Sequence, residues 1–339
     1  GVLRRLGKVL ELRGGWANAE ASYREAVALC ERFGDTEGQA RAHTDLAESL
    51  RKQGRFEEAR QELGVAGGIF SRIDDDAGLA LVLHLRGTLA SQQGQYDAAR
   101  AAYEQSLEIR ERLGDQAGVG SLLSNLALVA ESEGDIQRAQ IMNERALAIR
   151  EEVGDRWAIG VSQNNLGMIA LMRHDFADAE MRFESSMRLA TEVGDRWLVA
   201  VGHHNLGNAF IGLGRPRPAG EEFLQALQSY EDYGDTWSIA LLVEDMVLLA
   251  LASDWFVEAG QLLGAADALR ERLEARRPPS MAAALDAAFA PALRRRGPAE
   301  HDDAQRRGRE LEASALGTLL RDVGHSAVSH GSDPGEHLD

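Results

Sequence analysis

The pentapeptide Val-Gly-Asp-Arg-Trp stands at 153–157 and again at 193–197, and a near copy, Tyr-Gly-Asp-Thr-Trp, at 233–237. A spacing of 40 residues, held through a chain of 339, points to a stack of like units rather than one closed core. In rows of 40 the Gly-Asp pair recurs as Gly34-Asp35, Gly114-Asp115, Gly154-Asp155, Gly194-Asp195 and Gly234-Asp235, with Asp74-Asp75 in the remaining row. A second column is stricter: Ala19, Ala59, Ala99, Ala139, Ala179, Ala219 and Ala259. Three residues before each alanine comes Trp16, Phe56, Tyr96, Ile136, Phe176, Pro216 or Phe256; four after it comes Tyr23, Leu63, Tyr103, Asn143, Phe183, Phe223 or Leu263.

Within a row the apolar spacing is helical, in two blocks. Val161, Leu166, Gly167 and Ala170 mark a first helix; Phe176, Ala179, Phe183, Leu189 and Val193 mark a second, in steps that keep one face in line. Between the blocks stands Gly14, Gly54, Gly94, Gly134, His174, Gly214 or Asp254, residue types that tolerate the left-handed conformation closing a helix. At the other joint, glycine lets the chain leave the second helix and the following aspartate caps the next, a cap contributing about 1 kcal/mol. Trp157, Trp197 and Trp237 then fall in a first helical turn, where each ring is expected to cover the joint between neighbouring repeats. Small residues let two helices approach, so the alanine column is expected to meet Gly7, Ala47, Gly87, Ala127, Gly167 and Gly207 on the partner helix, with Val247 breaking that set.

The stretches "NNLGMIALMRHDFADAEMRFESSMRLA" at 164–190 and "HNLGNAFIGLG" at 204–214 resemble tetratricopeptide repeats, and the resemblance runs over residues 2–273. It departs from the family in its period of 40 rather than about 34, and in ending repeats with Gly-Asp in place of proline. That variant is similar to the long-repeat subtype of kinesin light chains and of large bacterial signalling regulators. HEAT repeats share the period but lack the alanine and Leu-Gly columns. The resemblance implies an all-α, right-handed α-solenoid of antiparallel helix hairpins. "AGQLLGAADALRERLEARRPPSMAAALDAA" at 259–288 and "RGRELEASALGTLLRD" are similar to the ends of LuxR-type and SARP-type transcriptional regulators, in which an ATPase module of the NB-ARC or STAND kind precedes such an array. This second resemblance implies a sensor arm for a ligand or partner. Leu6-Gly7 aligns with Leu46-Ala47 without a preceding Gly-Asp cap, so the array is expected to continue upstream, covalently joined to further repeats or another domain.

Three segments follow. Residues 1–277 form the repeat array, with a truncated first repeat. Residues 278–324, opened by Pro278-Pro279, form a helical capping segment with a break at Pro291. Residues 325–339 have little to bury and are expected to be a disordered tail.

No catalytic pattern is present: "LGKVL" at 6–10 lacks the glycine spacing and hydroxyl of a phosphate loop, and neither a Gly-x-Ser-x-Gly elbow nor a His-Glu-x-x-His helix occurs. Adjacent His203 and His204 diverge by about 100° on a helix and are poorly placed to share a metal ion. The chain is therefore expected not to be an enzyme and to carry neither cofactor nor metal. A net charge of −17 argues against direct nucleic-acid contact. Glu244 and Asp245 interrupt the longest apolar run, which excludes it as a membrane span, and a lone cysteine, Cys30, fits a cytoplasmic location.

If the first helices line a concave groove, one column there is Asp45, Leu85, Asn125, Asn165, Asn205, Asp245, and the adjacent one Thr44, His84, Ser124, Asn164, His204, Glu244. Asparagine both donates and accepts, so such a ladder can pair with the backbone of an extended peptide. Met168 and Met172, with Leu128, Leu171, Ile211 and Leu248, make the groove more apolar than a solvated surface needs. The expected partner-binding residues are Asn125, Asn164, Asn165, Met168, Met172, His204, Asn205 and Asn208, and the partner a peptide, a protein surface or a small effector. The competing reading has the asparagines bonding between neighbouring helices and the methionines packed. A carboxylate clamp is absent, because neither Lys8 nor Lys52, the two lysines, stands beside the asparagines. A stand-alone scaffold that joins proteins without switching is the alternative function.

Overall fold

The computed structural model describes residues 1–273 and 275–330, and every regular element among them is an α-helix. They fall into two compact units, Gly1–Asp155 and Arg156–Asp339. The first holds α1 (Val2–Leu12), α2 (Trp16–Phe33), α3 (Thr36–Lys52), α4 (Phe56–Arg72), α5 (Asp76–Gln92), α6 (Tyr96–Leu113), α7 (Gln116–Ser132) and α8 (Ile136–Val153), paired as successive hairpins. The second begins with three more hairpins: α9 (Arg156–Met172) with α10 (Phe176–Val193), α11 (Arg196–Gly212) with α12 (Pro216–Tyr233), and α13 (Thr236–Ala252) with α14 (Phe256–Arg272). It ends with α15 (Pro279–Arg296), α16 (Pro298–Arg309) and α17 (Ala313–His330). The architecture is an all-α repeat solenoid.

Helix boundaries follow the punctuation in the sequence. All seven turn residues between paired helices, from Gly14 to Asp254, adopt φ between 58° and 81°. The cap carboxylates of Asp35, Asp75, Asp115, Asp195 and Asp235 each accept the backbone N–H three residues on, at 2.8–3.1 Å. Asp135 and Asp175 do the same for second helices, at 3.0 and 3.3 Å, a use of aspartate that the Gly-Asp column does not announce.

Hairpins close through one repeated contact. The seven column alanines are all 0 % exposed. Four column residues on the first helices are glycines, and each lies under a ring from the second helix. A Cβ on Gly7, Gly87, Gly167 or Gly207 would come within 2.4–2.5 Å of Tyr23, Tyr103, Phe183 or Phe223. Where the first helix carries Ala47, Ala127 or Val247 instead, the matching position is Leu63, Asn143 or Leu263, never a ring. Bulk added on one helix is removed from the other, as a close-packed interior requires.

The C-terminal helices cover the end of the second unit by close backbone approach. Gly264 and Gly308 set α14 against α16, where added Cβ atoms would meet the carbonyl oxygens of Gln305 and Gln261 at 2.0 and 1.9 Å. α17 turns back along α12: Gly220 faces the Gly324 carbonyl, and Arg321 pairs with Glu231 at 3.0 Å. Two expectations change. Pro291 lies inside α15 without breaking it. Residues 325–330 are helical rather than a tail, because Val323 and Ala327 bury against the array and carry α17 to its end. The rest of the expected disordered tail, 331–339, lies outside the described residues.

A buried ion cluster holds the exit from α14. Glu244 accepts both Nε and a terminal nitrogen of Arg270 (2.6 and 2.8 Å) and Arg277 Nε (2.7 Å), and Arg277 also reaches Asp267 at 2.8 Å. These bonds explain how a carboxylate sits fully buried in the most apolar helix of the array.

Gly207→Ala should lower stability by about 1–3 kcal/mol through the clash with Phe223. Gly64→Ala, in open space on α4, should be neutral or raise it by about 0.5–1 kcal/mol. Thermal melts of the two variants beside the parent check both signs.

Candidate functional site

The first helices of the hairpins present the columns expected to bind a partner. In the first unit these are α3, α5 and α7; in the second, α9, α11 and α13. Much of the columns is taken up by bonds between successive helices. Asn125 Nδ2 lies 2.8 Å from His84 Nε2, and Asp45 pairs with Arg4 and with Lys8 at 3.3 Å. Burial, with the Arg110 charge next, holds the His84 imidazole below the usual histidine range, so the neutral ring can accept from the Asn125 amide.

The second unit repeats the arrangement more densely. Asn205 Nδ2 donates to Asn164 Oδ1 at 2.9 Å. Asp245 Oδ2 lies 2.7 Å from His204 Nε2 and accepts from Asn208 Nδ2 at 2.9 Å. His204 is buried, its Nδ1 lies 3.3 Å from the Tyr230 hydroxyl, and burial pushes that phenol above its usual range, with Asp235 and Asp245 adding to the effect. Most of these bonds, like Arg4–Asp45, join residues 41 apart: one repeat plus one step around the helix. The asparagine and aspartate ladder therefore ties repeats together, as the competing reading of the sequence had it.

Against that background Asn165 stands out. Its side chain makes no hydrogen bond among the described residues, and it is half-buried on α9. Met168 and Met172 follow at positions three and seven residues later on the same helical face, Met172 47 % exposed. The Asn164–Asn205 bond leaves the Asn164 NH₂ and the Asn205 carbonyl oxygen open, and half-buried Leu171, Ile211 and Leu248 lie on the same set of first helices. Donors, acceptors and adaptable apolar surface thus coincide on α9 and α11. In the first unit Leu128 is 51 % exposed near Asn125, and burial raises the Glu131 carboxyl above the usual range.

Two features escaped sequence reasoning. His203 Nδ1 lies 2.6 Å from Glu222 Oε2, and His43 pairs with Glu62 at the same place four hairpins earlier. A His and a Glu 19 residues apart in both rows was the available signal. The second is how far the tryptophan rings stay open. Trp157 Nε1 does reach the next cap, donating to Asp195 Oδ2 at 2.8 Å, but its ring and those of Trp197 and Trp237 stay about half exposed.

Size-matched helical hairpins under a repeating punctuation define the class of helix-hairpin repeat proteins. Residues 1–66, 78–152 and 159–232 match the tetratricopeptide repeat profile, well over half of the chain, and the chain belongs to the tetratricopeptide repeat family. Its 40-residue period is the long form of that repeat. Among solved structures it is similar to BtubC (BKLC) from P. vanneervenii, at 19 % identity and a TM-score of 0.58, covering 64 % of this chain and 91 % of that one. It is similar to the signal transduction ATPase with numerous domains that carries a tetratricopeptide repeat sensor, from Pyrococcus horikoshii, at 15 % identity and a TM-score of 0.62. There the match covers 95 % of this chain and 49 % of the other, so this chain spans about half that protein's length. RapI in its apo form matches at 12 % identity and a TM-score of 0.64, covering 84 % and 99 %. A Rap conjugation gene regulator in complex with the Phr* peptide matches at 16 % identity and 0.58, covering 79 % and 72 %. At these identities the likenesses establish the fold. No curated protein matches the sequence.

Asn205→Ala, which removes an inter-repeat bond, should destabilise the protein by about 0.5–1.5 kcal/mol. Asn165→Ala should stay within about 0.5 kcal/mol of the parent. Urea unfolding of both variants separates the strut from the open amide.

Proposed function

We propose that this chain is a non-catalytic binding module, the ligand- or partner-sensing arm of a cytoplasmic signalling or transcriptional regulator. The observation that carries this reading is the strip of Asn165, Met168 and Met172 on α9, where an unbonded amide stands beside half-buried Met168 and exposed Met172. An extended peptide laid across α9 and α11 would pair its backbone with Asn165 and with the open donors and acceptors of Asn164 and Asn205. The methionines would follow whatever apolar side chains it presents, since an unbranched thioether repacks easily. His204, Asn208 and Asn125 would act indirectly, by holding neighbouring first helices in register.

The fold likeness to an ATPase bearing a repeat sensor, over nearly the whole of this chain, supports the regulator context. The likeness to a Rap protein that holds a peptide supports the choice of a peptide partner. Binding would favour one arrangement of the stacked hairpins, and the difference in affinity between arrangements is the free energy available to a switch.

Panning a random peptide library against the protein tests the proposal. Selected peptides should lose about tenfold in affinity with Asn165→Ala or Met172→Glu, the weight of about one buried polar or apolar contact. Selected peptides indifferent to both changes would contradict it.

A further inference from the structure

The three tryptophans at the starts of α9, α11 and α13 take no part in the strip just described. Trp157, Trp197 and Trp237 are 52, 51 and 50 % exposed. The repeat does not need them: the same position in α3, α5 and α7 holds Glu37, Ala77 and Ala117, all exposed, under the same aspartate caps. Two of them stand beside further exposed apolar side chains. Trp157, Val193, Asp195, Arg196, Trp197 and Tyr233 line one shallow depression, in which Tyr233 is 51 % and Val193 43 % exposed. Large rings repeated at one edge, and dispensable to the hairpins that carry them, mark a contact surface.

Charge selects the occupant. Beside these rings in the chain stand the carboxylates of Glu192, Asp195, Glu231, Asp232 and Asp235, against the guanidinium groups of Arg156 and Arg196, with Glu231 already taken by Arg321. Arg156 is already paired with Glu192, and the whole chain carries −17. An indole face attracts cations, and a carboxylate at its rim fixes a planar guanidinium by paired hydrogen bonds. The chain itself makes such a contact: the Arg270 guanidinium lies over Trp237 at 5.9 Å from the ring centroid, leaving half of that side chain open.

We propose that this edge of the second unit binds an arginine-rich peptide segment, with guanidinium groups stacked on Trp157, Trp197 and Trp237 and steered by the Asp195 and Asp235 carboxylates. Spacing makes the match specific. Neighbouring helices lie about 10 Å apart, and a chain in the polyproline II conformation advances about 3.1 Å per residue with three residues per turn, so arginines at every third residue stay on one face and meet successive rings. Lysine, a compact and strongly hydrated charge, fits the same surface less well.

Calorimetric titration with a synthetic peptide carrying three arginines, each separated by Gly-Ser, tests this against peptides in which lysine or glutamate replaces arginine. The arginine peptide should bind tightest, more weakly as salt is raised, and the glutamate peptide not at all. The triple variant Trp157→Ala, Trp197→Ala, Trp237→Ala should weaken arginine-peptide binding by at least about tenfold, and the matching phenylalanine variant should retain most of it. Unchanged melting of both variants separates lost contact from lost fold, and Asn165→Ala should leave this affinity untouched, which keeps the outcome independent of the groove. Equal binding of arginine and glutamate peptides, or full affinity in the triple alanine variant, would overturn the proposal. So would concentration-dependent self-association abolished by the same variant, which would assign the edge to a second copy of this chain.

Discussion

A ring laid on a glycine sets how closely the two helices of a hairpin approach, and the remaining architecture follows from that separation. Gly7 with Tyr23, Gly87 with Tyr103, Gly167 with Phe183 and Gly207 with Phe223 leave no room for even one added carbon. The column alanines are likewise buried without exception. Where the first helix has no glycine in this column, the matching position on the second carries no ring, so the interval between helices is preserved by trading volume across it. Interiors are packed densely enough that such trades are required rather than optional.

Once hairpins have a fixed thickness, successive first helices lie side by side in a constant register, and side chains 41 residues apart can bond. Asn125 with His84, Asn205 with Asn164 and Asp245 with His204 use that register. The ladder both joins repeats and decides what the binding face can offer. Where a bond is made, the amide is committed; at Asn165 it is not, and Met168 and Met172 follow it on the same face. The same register brings three tryptophans to one edge of the second unit, beyond what its hairpins need.

The fold was legible because its signals are local and repeated. A left-handed turn residue, a capping aspartate and an alanine column each have one physical meaning, and seven turns out of seven obeyed it. The candidate site was legible only as a face. Asparagines in one column look alike in sequence, yet whether each faces a partner or a neighbouring helix depends on the residue 41 positions earlier: Asn205 finds Asn164 there, and Asn125 finds His84. The trade between glycine and ring lay in the sequence too, but as a correlation between two columns rather than a motif in either. The extension of α17 to His330 could not be read from composition, because its partner Gly220 lies more than a hundred residues away.

The claim that size matching across each hairpin determines the array is tested most directly by a double-mutant cycle at Gly167 and Phe183, measured by chemical unfolding. Gly167→Ala alone should be strongly destabilising. In a Phe183→Leu background, which copies the pairing of Ala47 with Leu63, the same change should lose most of its effect, a coupling on the order of 1 kcal/mol or more. If the two substitutions simply add, the ring does not set the distance between the helices, and the account fails at its root.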